Sequence, residues 1–249
     1  MKISILSFIL YSLLLNIPLN TQAFPQQHPV ASKEALLKNR GNGTAETSEP
    51  VLPPLRELDN QAFGVGEKLD YIIRYGSIKA GYSRLSIPEV INFKGYPCYR
   101  IISEAWSNKF FSRFYKVQDH VESYVDVRGI FSWRLEKHLR EGSYRKDLVV
   151  YHDQLSHLAY ADGDTFKIPP FVHDVLSAMY YVRTLTLSPG DTVLIDNQDN
   201  AKVYPLQIVV HKREKIKIKA GKFTCLVVEP HLKTPALFKQ KGRIVVHLT

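Results

Sequence analysis

YKVQDHVESYV (residues 115–125) and FSWRLEKHLR (131–140), separated by DVRGI (126–130), decide the fold. In the first stretch Tyr115, Val117, Asp119, Val121, Ser123 and Val125 share one side, and Lys116, Gln118, His120 and Glu122 share the other. Alternation with a period of two marks a strand with one buried face. In the second, Phe131, Trp133, Leu135, Lys137 and Leu139 alternate with Ser132, Arg134, Glu136, His138 and Arg140. Turn residues between the two stretches predict that they pair as a hairpin.

The same period continues outward. Runs at 69–75, 78–87, 99–105, 144–152, 155–160, 203–212 and 243–248 read as strands, and Ile216 and Ile218 alternate with Lys215, Lys217 and Lys219 before a turn into Phe223, Cys225 and Val227. About ten strands at this short spacing predict an antiparallel sheet. One segment departs from it. Val172, Val175, Leu176, Met179, Tyr180 and Val182 recur at helical spacing between Pro169-Pro170 and Ser188-Pro189-Gly190, with Asp174 placed where a carboxylate suits the helix dipole. Sheet and helix each need a partner for an apolar face. The expected fold is therefore mostly β, α+β at the margin: a curled antiparallel sheet or half-barrel of about ten strands packed on one helix.

Residues 1–23 read as a signal peptide, with Lys2 as the positive start, an apolar run at 3–15 and small residues at Thr21 and Ala23, after which cleavage is expected. Residues 24–60 carry Pro25, Pro29, Pro50, Pro53 and Pro54 with Gly41 and Gly43, and read as a disordered linker. Residues 61–249 read as one β-rich domain. The expected location is the periplasm or outer cell envelope.

Of the 249 residues, 45% are hydrophobic and 23% charged, which excludes a disordered or fibrous chain. The net charge of +9 favours contact with anionic surfaces. Two cysteines exclude a disulfide-dense scaffold and a four-cysteine zinc ribbon. Whether Cys98 and Cys225 pair depends on a distance the sequence does not hold, and the reading favours two buried thiols.

Local catalytic signatures are missing: there is no Gly-x-Ser-x-Gly, His-Glu-x-x-His, Cys-x-x-Cys or phosphate loop. The nine histidines are scattered, and the closest pair, His152 and His157, straddles a turn and reads as surface. Asp119 lies on the apolar side of its strand, so its carboxyl needs donors or a raised pKa. Lys212, Arg213, Lys215, Lys217 and Lys219 form a basic stripe suited to a solvated edge strand or to an anionic membrane surface. Aromatic and basic residues do not interleave as a nucleic-acid platform would, and no nucleic acid is expected.

The stretches FGVGEKLDYIIRYGSIKAGYSRLSI (63–87), FYKVQDHVESYVDVRGIFSWRLEKHLREGSY (114–144), HDVLSAMYYVRTLTLSPGD (173–191) and AGKFTCLVVEP (220–230) resemble bacterial exported proteins of domain of unknown function 3108. The resemblance covers the chain from about residue 63 onward. It implies a secreted, mostly β domain of the cell envelope and carries over no catalytic residue. Members it resembles continue past the strand equivalent to 243–249, so a truncated C-terminus is expected. In pattern the chain is also similar to periplasmic lipoprotein carriers, whose half-barrel closes over an apolar cavity.

The expected function is an exported, non-enzymatic envelope binding protein, without cofactor or metal, that carries or senses an apolar ligand such as a lipid or lipid-linked glycan. Tyr115, Val117, Phe131, Trp133 and Leu135 are expected to border its pocket, with Met179 and Tyr180 as a lid. Alternatives are an envelope structural or assembly factor that binds another protein, and a hydrolase with an unrecognised site. A sheet interior without a cavity favours the assembly factor, and a cleft holding a base bonded to a nucleophile favours the hydrolase. The sequence does not specify an oligomeric state.

Overall fold

The alternation around Val121 and Leu135 becomes a wide antiparallel sheet in the computed structural model, which describes residues 55–75, 77–199, 202–232 and 245–249. The expected signal peptide and residues 24–54 of the expected linker lie outside the described residues. Nine strands build the first sheet: β1 (Lys68–Tyr75), β2 (Ile78–Ser86), β3 (Val90–Phe93), β4 (Tyr96–Ser107), β5 (Gln118–Asp126), β6 (Ser132–Glu141), β7 (Tyr144–Asp153), β8 (Leu158–Ala161) and β9 (Asp164–Lys167). Each strand pairs with the next in sequence, except that β2 reaches past β3 to β4 and β3 folds back on β4 alone. The expected hairpin is β5–β6, with Ser123 opposite Leu135 and Val121 opposite Lys137.

A second antiparallel sheet holds β10 (Thr192–Asp199), β11 (Lys202–Ile218), β12 (Gly221–Leu232) and β13 (Val246–Leu248). The described residues thus form thirteen strands in two open sheets, where the sequence suggested about ten in one. One physical reason lies in the helix α1 (Val175–Thr184), which is apolar on two sides. Leu176 and Tyr180, one turn apart, enter the core of the first sheet, while Ala178 and Val182 enter that of the second. A helix with two apolar stripes needs two surfaces to bury them. The split of β11 into two predicted strands traces to a bulge between Val210 and Lys212, which shifts the alternation by one residue.

A second bulge shapes the first sheet. Tyr124 faces Arg134 and Val125 faces Ser132, so Trp133 has no cross-strand partner. Phe131 and Trp133 leave the main core and form a satellite cluster with Tyr96 and Cys98. The end of the expected linker packs as well: Leu58 N donates to the Arg128 carbonyl and Arg56 Nη2 to that of Gly129, at 2.8 and 2.7 Å. The Arg56 guanidinium also lies 4.9 Å from the Phe171 ring centre and 4.8 Å from that of Tyr181, a cation–π contact that holds a proline-flanked segment in place.

Candidate functional site

The seven residues expected to border one pocket go to four places. Phe131 and Trp133 fill the satellite cluster, where Trp133 stacks on Tyr96 at 4.5 Å and its Nε1 donates to Asp126 Oδ2 at 3.2 Å. Leu135 and Tyr180 are fully buried in the main core, and the Tyr180 hydroxyl donates to Glu67 Oε1. Met179 lines a crevice of about 30 Å³ between α1 and the second sheet, room for about one water. Val117 makes an isolated bridge to Glu141, and Tyr115 is exposed. Phe131, Trp133, Leu135 and Tyr180 are packed among other buried side chains.

Between the two sheets lies a sealed polar network. Asp174 caps α1, accepting from Leu176 N and Ser177 N through Oδ1 while Oδ2 accepts from the Ser123 hydroxyl at 2.5 Å. Ser132 Oγ sits 3.0 Å from His152 Nδ1, and His152 Nε2 sits 2.9 Å from Gln198 Oε1. Assigned from these partners, Nε2 carries the proton and Nδ1 accepts from the serine. Ser, His and Gln stand in the order of a hydrolytic relay, yet Ser132 is fully buried, so no substrate reaches its hydroxyl. Burial also lowers the His152 pKa and keeps the ring neutral. The expected surface position of His152 is thereby corrected: only 1% of it is exposed, because the second sheet, through Gln198, covers it. Lys137 and Asp199 pair at 2.5 Å across the same boundary and join β6 to β10.

The other face of the first sheet carries ordered rows of polar residues. Glu104, His120, His138 and Asp147 stand directly opposite one another across β4, β5, β6 and β7. His138 Nδ1 lies 2.6 Å from Asp147 Oδ1 and Nε2 lies 2.8 Å from Glu136 Oε1. These two carboxylates, Asp147 first, hold the His138 pKa above its ordinary value.

At the end of these rows a cleft of about 500 Å³ opens, lined by Glu104, Lys116, Gln118, Asp119, His120, His138, Arg140 and Arg145. Arg140 and Arg145 face each other across the β6–β7 hairpin, an unfavourable like-charge pair. Asp147 offsets Arg140 at 2.6 Å, whereas among the described residues Arg145 donates only to the carbonyls of Gly142 and Tyr144. Lys116 pairs with no carboxylate among the described residues.

Asp119, one of the lining residues, forms an acid pair with its neighbour Glu141. Asp119 is buried on the core side of β5, as its position in the alternation predicts, and its Oδ1 accepts from Arg140 N at 2.8 Å. Burial raises its pKa. Glu141 is pushed up to about 7 by burial and by the adjacent Asp119 charge. Asp119 Oδ2 and Glu141 Oε1 are buried with no hydrogen-bond donor among the described residues; one shared proton would satisfy both, whereas two negative charges there would repel.

Apart from Asp119, the cleft residues lie on the polar sides of their strands, where alternation marks only solvent exposure. A usable signal is present: the polar sides of residues 116–122 and 134–140 hold Lys116, His120, Arg134, His138 and Arg140, and His120 stands opposite His138 on the adjacent strand. The basic stripe is exposed where expected, on the part of β11 beyond Val209, which only β12 pairs. Cys98 and Cys225 are both free and buried. Among the described residues no group of three or more His, Cys, Asp and Glu side chains is placed to hold a metal ion.

A family model described as protein of unknown function (DUF3108) matches residues 70–249. No curated protein and no solved structure matches the chain.

Proposed function

We propose that this chain, which belongs to the DUF3108 family of proteins of unknown function, is a non-enzymatic binding protein of the cell envelope that takes up the anionic group of an envelope amphiphile, a lipid or lipid-linked glycan, at the surface of its first sheet. The observation that carries the reading is the cleft itself. Two cations without carboxylate partners among the described residues, Lys116 and Arg145, border about 500 Å³ of space beside Arg140 and two histidines. An anion bound there relieves the Arg140–Arg145 repulsion and accepts charge-assisted hydrogen bonds. The packed interior supports a guest met at this polar rim rather than one enclosed within the sheet. Location in the envelope rests on the leader-like N-terminus and remains part of the proposal.

The test is calorimetric titration with two probes, inorganic phosphate and dihexanoyl phosphatidylglycerol below its micelle concentration. Saturable binding is expected, weakened about tenfold, or about 1.4 kcal/mol, by the double substitution Arg145→Gln/His138→Gln. No binding of either probe, or equal binding by parent and variant, overturns the reading and favours the assembly factor.

A second reading rests on the acid pair. A carboxyl that keeps its proton near neutral pH beside a cleft is what general acid catalysis requires, and it would make the protein a hydrolase. Breakdown of a phosphate- or glycoside-linked chromogenic probe that Glu141→Gln abolishes would support it.

A further inference from the structure

We infer that the loop between β4 and β5, residues 109–116, is an interfacial anchor that seats the protein on an anionic lipid bilayer. The sequence there is KFFSRFYK. Phe110 is 61% exposed, Phe114 76% and Tyr115 52%. Large aromatic side chains rarely stand together in solvent unless they meet a partner. Here the rings cluster, with Phe110 at 5.5 Å from both Phe111 and Phe114.

The exposure is built into the loop. Residues Phe111–Arg113 form a short 3-10 turn with no buried residue. Its backbone is held from below: Asn108 Oδ1 accepts from Phe111 N at 2.9 Å, and Asn108 Nδ2 donates to the Lys79 carbonyl at 2.5 Å. The Ser112 hydroxyl bonds to the Asn108 carbonyl at 2.7 Å, and Val117 N donates to Ser107 Oγ at 3.0 Å. Tyr115 closes over Gly142, where an added Cβ would stand 2.6 Å from the ring. Polar groups point inward to fix the loop, and Phe110 and Phe114 stand in solvent.

Charge identifies the occupant. Lys109, Arg113 and Lys116 flank the rings, all exposed, and no Asp or Glu occurs between Glu104 and Asp119. An apolar protein groove would need only the rings. Aromatic rings framed by cations, with the Glu141 and Asp119 carboxyls near Tyr115 at one end only, match the boundary of an anionic bilayer, where phenyl and phenol rings enter the headgroup layer and long cationic side chains meet phosphates.

The inference does not rest on anion binding in the cleft, and the two fail separately. The full chain is mixed with vesicles of phosphatidylcholine alone and with vesicles holding about 30 mol% phosphatidylglycerol, at which the surface potential attracts cations. Phe110→Ser/Phe114→Ser is expected to lower association with the anionic vesicles at least about tenfold while leaving the melting temperature and the titration with soluble phosphatidylglycerol unchanged. Arg145→Gln/His138→Gln is expected to keep vesicle association. Because parent and variants share one N-terminus, the difference reports on the loop. A Phe114→Trp variant should show a blue shift and quenching by brominated lipid when anionic vesicles are added. Equal association of parent and double-serine variant, no quenching at Phe114→Trp, or loss of self-association in place of vesicle binding would each overturn the inference.

Discussion

His152 and His138 stand on adjacent strands of one sheet, and the regions around them use the same residue types to opposite effect. His152 sits between the sheets with Ser132 and Gln198 on its two nitrogens, sealed from water and held neutral. His138 faces outward between Asp147 and Glu136, with 41% of its side chain exposed and its pKa raised. In the first region the polar groups join two sheets and a helix. In the second they border open space. A serine–histidine contact or a carboxylate–histidine contact therefore says little about chemistry until access is known, since a buried relay has no substrate to act on.

The largest effect expected concerns a residue first assigned to the pocket. Trp133→Ala removes a buried ring stacked on Tyr96, and a fully packed aromatic costs about 3–5 kcal/mol when truncated. Chemical denaturation should show that loss, while titration of the cleft with phosphate at a temperature where the variant stays folded should match the parent. A changed affinity would mean that the satellite cluster and the cleft are not separate regions.

A paired substitution tests the contrast directly. His152→Leu leaves the Ser132 hydroxyl without its acceptor inside the core and is expected to cost about 2–3 kcal/mol, the penalty for a buried polar group that loses its partner. His138→Leu, at a half-exposed position, should cost under about 1 kcal/mol. Equal costs in urea unfolding would show that the outer rows are as structural as the interior network.

The legible part of the fold was the part where one physical cause acts alone. Residues 118–126 and 132–141 alternate because one face is buried, and the hairpin with Asp119 on its inner side follows from that. Helix α1 was legible from its 3.6-residue period and from Asp174, which does cap it. The division into two sheets was not, since Leu176 and Ala178 look equally apolar and only packing assigns them to different cores. Phe131 and Trp133 part from Leu135 for a local reason: the bulge at Trp133 redirects them, and nothing in the alternation of 131–139 signals it. Strand β10 carries the polar run Asp196, Asn197 and Gln198, and in the fold Asn197 bridges His173 and Gln198 meets His152. The alternation extends the strand β5 back to Tyr115, whereas it begins only at Gln118, and Tyr115 and Lys116 belong to the aromatic loop.

The smallest effect sharpens the comparison at the acid pair. Glu141 ordinarily titrates near 4.5, and in the fold it is pushed up to about 7 by burial and by Asp119. Between these values the folded chain holds a proton that the unfolded chain has released, so stability is greatest below about pH 4.5, falls as pH rises, and levels off above about 7. The carboxyl is only half-buried, so the change is on the order of 1 kcal/mol once solvent screening is allowed for. His138, whose pKa is also raised, loses its contribution in the same direction, so the informative quantity is the difference between parent and variant. Glu141→Gln offers Asp119 an amide donor at every pH and removes one titration. Its melting temperature between pH 5 and 8 should fall less steeply than that of the parent and exceed it at pH 8. Parallel curves would show that Glu141 ionises in the fold without cost, and the acid pair would then be as open to water as the histidines beside it.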